Sequence, residues 1–140
     1  MEFERDTIIS YDTVAEVTLC QEETLESIVP DACPDILRIV DVCGQATISG
    51  KQAREGSAQV TGMVRASILY QPEGGGGLRR MEAGLPFTCQ AEAPGLTERG
   101  TVLARPRLRS AEARALNPRK VLLRVDLAVD ITACQPVERP

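Results

Sequence analysis

Between Lys120 and Ala133 an apolar side chain occupies every second position. Val121, Leu123, Val125, Leu127, Val129, Ile131 and Ala133 alternate with Lys120, Leu122, Arg124, Asp126, Ala128 and Asp130. A helix would scatter these seven residues around its axis, whereas an extended chain puts all of them on one face. The segment is therefore a long strand lying against a core, and its register is fixed, because a slip of one residue would turn the whole apolar row to solvent.

The same period recurs along the chain. Ala58, Val60, Gly62, Val64, Ala66, Ile68 and Tyr70 form one row, and Met81, Ala83, Leu85, Phe87, Cys89 and Ala91 another. Thr101 to Arg109 sets Val102, Ala104, Pro106 and Leu108 against Leu103, Arg105, Arg107 and Arg109. Weaker alternation in Cys43–Gln52, carrying Ala46 and Ile48, pairs with the strand from Ser57 as a hairpin across Ala53-Arg54-Glu55-Gly56. Ile9, Tyr11, Ala15, Val17 and Leu19 mark a first strand. Proline cannot donate to a ladder, so Pro86 marks a strand edge or a bulge and Pro106 an edge. Pro72-Glu73-Gly74-Gly75-Gly76-Gly77, Pro94-Gly95 and Asn117-Pro118 supply turns. Helical character is expected only near residues 34–42, where Asp35 suits a helix N-terminus and Ile36, Leu37, Ile39 and Val40 would pack inward. The fold class expected is all-β: an antiparallel β-sandwich or flattened barrel of about six to eight strands with that one short helix.

Composition narrows the chemistry. At 140 residues the chain fits a single domain that needs neither disulfide nor metal to make a core. It contains no His, which removes the commonest general base and metal ligand and every Ser/His or Cys/His nucleophile pair. Phe3, Phe87, Tyr11 and Tyr70 are the only aromatics, too few for a base-stacking or sugar-binding shelf. The glycine run lacks the Lys and Ser/Thr of a phosphate-binding loop, and paired acids such as Glu22-Glu23 and Asp126/Asp130 read as solvated charge. No enzyme, cofactor or metal site is expected, and a net-acidic chain without an aromatic platform is a poor nucleic-acid binder.

The net charge of -4 is unevenly spread: residues 1–35 hold ten acids and only Arg5, whereas the remaining 105 residues hold fifteen bases and ten acids. Two readings stand: acids such as Glu2, Glu4, Asp6, Asp12 and Glu16 face a basic stripe, Arg105, Arg107 and Arg109, within one molecule or between neighbours, or the two are separate solvated faces. Five cysteines, Cys20, Cys33, Cys43, Cys89 and Cys134, show no CxxC spacing. In an oxidising place the odd count leaves a thiol for an intermolecular disulfide; in a cytosol all five serve as small hydrophobes. The first ten residues lack a signal-peptide core, and no run approaches a membrane span. Synthesis in the cytoplasm is expected.

The run Ile28-Val29-Pro30-Asp31-Ala32-Cys33-Pro34-Asp35-Ile36-Leu37-Arg38-Ile39-Val40-Asp41-Val42, the Val60-x-Gly62-x-Val64 and Ser67-Ile68-Leu69-Tyr70 motifs, Leu85-Pro86-Phe87, Pro94-Gly95 and Leu116-Asn117-Pro118-Arg119-Lys120-Val121 together resemble the SPOCS domain, DUF3794. That family occurs in SipL-type spore morphogenesis proteins of clostridia, often in tandem and followed by a LysM domain. The resemblance covers about residues 24–134, preceded by an acidic arm and first strand over 1–23 and followed by a tail over 135–140. It implies an assembly module of the endospore envelope, built in the mother cell and ending at the spore surface. A single copy without LysM is expected to bind copies of itself and to polymerise as a coat, exosporium or fibre subunit. The rival readings are a soluble adaptor for another coat protein and, more weakly, a sandwich that binds a small molecule or glycan. Deleting residues 1–20 is expected to leave a folded monomer.

Overall fold

A computed structural model describes residues 9–137. Six strands follow one another: β1 (Ser10–Ile28), β2 (Ile36–Arg54), β3 (Ser57–Pro72), β4 (Arg79–Glu92), β5 (Thr101–Asn117) and β6 (Lys120–Val137). They form two three-stranded sheets, in the orders β1-β6-β5 and β2-β3-β4, with every ladder antiparallel. The edges β2 and β5 pack closely, while β1 and β4 approach each other less closely, so the sandwich is narrow on one side and more open on the other. Pro106 lies on edge strand β5 and Pro86 on edge strand β4, as their missing N–H groups require.

The alternating rows meet in the middle. Val60, Val64, Phe87, Leu123, Val125, Leu127 and Val129 belong to one large apolar cluster; Val29, Ile36, Ile68, Tyr70, Met81 and Val121 form a second, at the end where β1, β3 and β5 finish. Gly62 is a packing requirement, because a Cβ there would collide with the Phe87 ring and the Thr47 carbonyl. At the opposite end Ala93-Pro94-Gly95-Leu96 makes a turn closed by Leu96 N–H donating to the Ala93 carbonyl at 3.0 Å, with Gly95 at φ 92° in the left-handed region.

The expected helix near residues 34–42 is instead the start of β2. Register shifts fall between Ile36 and Arg38 and again between Ile39 and Asp41. Each bulge inserts one residue, so the inward positions become Ile36, Ile39 and Val42. That spacing of three imitates a helical stripe. A bulge between Thr13 and Ala15 similarly reverses the first strand: Ala15, Val17 and Leu19 share the buried face of β6, whereas Tyr11, opposite Pro136, is exposed.

Candidate interaction surfaces

The quoted motifs converge at the end of the sandwich that carries the β5–β6 turn. Asn117 and Pro118 open that turn, and the Asn117 side-chain oxygen accepts the Arg119 N–H at 2.8 Å, an Asx geometry that fixes where Arg119 points. Its guanidinium donates to the carbonyls of Cys33 at 2.6 Å, Val29 at 3.1 Å and Pro30 at 3.0 Å, and to Asp35 Oδ1 at 3.0 Å. The planar fork suits this role, because its five donors satisfy several acceptors that a lone ammonium would leave unmet. Backbone bonds from Val29 N–H to the Arg119 carbonyl and from Ile36 N–H to the Pro118 carbonyl, both 2.9 Å, complete the seam. Tyr70, wholly buried, donates its hydroxyl to the Pro34 carbonyl at 3.0 Å. Burial pushes the phenol above its ordinary value of 10.0, with the nearby Cys33 adding to the shift. The Pro-Asp-Ile, Ile-Leu-Tyr and Asn-Pro-Arg-Lys segments are thus one latch between the β1–β2 crossover and the β5–β6 hairpin.

The other end is held without charge. Gln135 accepts the Thr97 N–H at 2.9 Å and donates to Thr97 Oγ1 at 2.8 Å, pinning the β4–β5 connection to the end of β6. Sequence reading placed Gln135 in a tail and missed it.

The outer face of the β1-β6-β5 sheet carries rows of opposite charge. Glu16, Glu22 and Glu26 lie along β1, and Arg105, Arg107, Arg109 and Arg114 along β5. The two rows are drawn together across β6 by pairs within the molecule. Asp130 accepts Thr18 Oγ1 at 2.6 Å and Arg107 at 3.1 and 3.2 Å; Arg124 reaches Glu22 at 2.9 Å, and Lys120 reaches Glu26 at 2.8 Å. The Thr18 hydroxyl and then the Arg107 guanidinium hold the Asp130 carboxyl below its ordinary value. Arg109, at a bulge between Leu108 and Ser110, sits 3.7 Å from Cys20 Sγ. An open cavity of about 530 Å³ beside them is lined by Cys20, Glu22, Arg109, Ser110, Arg124 and Asp126. These exposed pairs contribute little stability each, yet they engage part of the basic stripe with partners inside its own sheet.

Of the expected interface residues, Glu2, Glu4 and Asp6 lie outside the described residues; Asp12 and Glu16 are exposed on β1 and Arg105, Arg107 and Arg109 on β5. The five thiols are unbridged here: Cys20 and Cys43 are exposed, Cys33 and Cys134 half-buried, and Cys89 buried, with burial pushing its thiol up. Gln21 and Glu23 interrupt the inward row of β1. Gln21 Nε2 donates to Glu23 at 2.9 Å and to the Thr88 carbonyl of β4 at 3.4 Å, putting polar groups at the open seam. That break in an apolar row was visible in the sequence and marks the sandwich edge.

Among the described residues no group of three or more Cys, Asp or Glu is arranged to hold a metal, no Asp, Glu, Lys, Arg, Asn, Gln, Ser or Thr side chain is buried, and no helix is long and apolar enough to cross a membrane. What these features define is an antiparallel β-sandwich with an apolar interior and its acidic and basic side chains on the outside. A family model described as SipL, SPOCS domain, matches residues 35–116, and the chain belongs to that family. The matched stretch takes in β2 to β5, from the Asp35 end of the latch to the residue before its Asn117 turn. No curated protein and no solved structure matches the chain.

Proposed function

We propose that this protein is a self-assembling structural subunit of the bacterial endospore envelope, acting through contacts with copies of itself. The family-like stretch is proposed over about residues 24–134, but the folded unit runs from Ser10 to Val137, since the whole of β1 and β6 completes the first sheet. Membership of the SPOCS family supports a sporulation role. The observation that carries the structural reading is the apolar interior: no Asp, Glu, Lys or Arg is buried among the described residues, and the two buried ionisable groups, Cys89 and Tyr70, sit apart in separate apolar clusters, so chemistry is left to the surface, where binding rather than turnover is served. The acidic segment ahead of β1 is the arm that grips a neighbour, and Cys20 and Cys43, the two exposed thiols, are placed for crosslinks between copies in an oxidising coat.

Deletion of residues 1–20 no longer tests the arm cleanly, because β1 begins at Ser10 and pairs with β6 along its length. Removing residues 1–8 leaves that ladder whole. Electron microscopy and light scattering of the purified protein should show ordered multimers, weakened by this deletion, and non-reducing gels of assembled material should show ladders that collapse with reductant. A single monomeric species at every concentration, together with recovery of one coat protein from sporulating cells, would establish the adaptor reading instead.

A further inference from the structure

Eight large apolar side chains are exposed among the described residues, and all lie toward the ends of the strands. Ile28, Leu37, Val40, Leu78 and Leu116 surround the Arg119 end; Ile9, Tyr11 and Leu103 sit at the other. The flanks carry none, and each of the four edge strands bears a feature that discourages strand addition. Glu23 points inward on β1, β2 has three register shifts, β4 has Pro86, and β5 has Pro106 and two register shifts. Lateral growth is therefore obstructed where a sandwich is usually most vulnerable. The ends also differ in charge. Within two residues of the strand termini, the Arg119 end has five cations against three anions, with Arg38, Arg79 and Arg80 prominent. The opposite end has, among the described residues, two cations against three anions, Asp12, Glu55 and Glu92.

We propose that copies of this chain stack head to tail, the Arg119 end of one molecule seated on the Ile9/Tyr11/Leu103 end of the next. This inference rests on the self-assembly reading and gives it a direction. Unlike patches facing each other make a heterologous contact, which repeats along the strand axis until it closes or becomes a filament. Apolar side chains at the centre with opposite charge around them form the arrangement that binds and orients such a contact.

Two variants test it: Leu37→Asp with Leu116→Asp at one end, and Tyr11→Asp with Leu103→Asp at the other. Melting curves establish folding, and Gln replacements at the same four positions serve where an Asp variant does not fold. Each variant alone should need a concentration roughly thirtyfold or more higher to assemble than the unaltered chain. Mixed in equal amounts, the two should form a dimer and stop there, because one intact contact remains between them and neither outer end can add a copy. Assembly of either variant at the unaltered concentration, or a mixture that stays monomeric while the unaltered chain assembles, overturns the head-to-tail contact and leaves self-assembly standing. An unaltered chain that never assembles overturns both.

Discussion

The two ends of the sandwich solve one problem with different chemistry. At each, a connection between the sheets must be tied to a strand of the β1-β6-β5 sheet. At the first end a guanidinium gathers three carbonyls and a carboxylate; at the second, one neutral amide makes two bonds with Thr97. The difference follows from what each end covers. The first connection, residues 29–35, crosses over the second apolar cluster and turns its carbonyls inward, where they need donors. The second turns tightly through Pro94-Gly95 and satisfies itself with a local bond from Leu96 to Ala93. A long wrap needs a multivalent partner; a short turn needs only a pin.

Removing the multivalent partner should therefore cost most. Arg119→Ala strands several partly buried acceptors and should lower stability by about 3 kcal/mol, roughly 10 °C in melting temperature. Arg119→Lys should recover less than half of this, because an ammonium cannot reproduce the fork. Thermal denaturation reads both, and an Arg119→Ala protein that melts with the unaltered one would reduce the latch to a surface contact.

Gln135→Ala should cost less, about 1.5 kcal/mol, from two neutral bonds. The ends share no contacts, so the double variant should equal the sum of the singles within about 0.5 kcal/mol. A larger discrepancy would mean that the two apolar clusters couple the ends.

Alkali separates the ends by another route. Cys89, in the large cluster, and Tyr70, in the latch, both have folded-state values above their ordinary 9.0 and 10.0. The unfolded chain releases these protons first, so each contribution is present below the ordinary value and is lost as pH rises through the folded one. Melting temperature should begin to fall above about pH 9 and fall further above about pH 10. Cys89→Ala should blunt the first decline, and Tyr70→Phe, at a cost of about 1 kcal/mol for the lost bond to Pro34, the second.

Much of this architecture was legible in the residues. Rows of period two located β3, β4 and β6 to within a few residues, because those strands bury one face completely and their side chains must obey it. Legibility failed where bulges change the period. Residues 34–42 read as a helix because two inserted residues spread Ile36, Ile39 and Val42 at intervals of three, and Tyr11 read as inward because the bulge near Val14 reverses its face. The surfaces were harder still. The charge imbalance between the first 35 residues and the rest was plain, but which acids meet which bases depends on register: Arg105 opposite Asp130 and Glu112 opposite Arg124 follow only once β5 lies on β6. The latch was hidden for a related reason, since Asp35 and Arg119 lie far apart in the chain and nothing local in either announces the other.

The smallest effect belongs to the middle of the molecule, remote from both ends. The Asp130 carboxyl, held low by Thr18 and then Arg107, contributes above its ordinary value of 3.8 and loses that contribution as pH falls through the lower folded value. The site is exposed, so the gain is screened and the acid dependence shallow. Asp130→Asn should leave melting near neutral pH almost unchanged while flattening the decline below about pH 4, more so at low salt than at high. If it instead destabilised the protein as much as Arg119→Ala at neutral pH, the contrast drawn between tied ends and a lightly bonded flank would be wrong, and the charged face of the β1-β6-β5 sheet would itself be a structural tie.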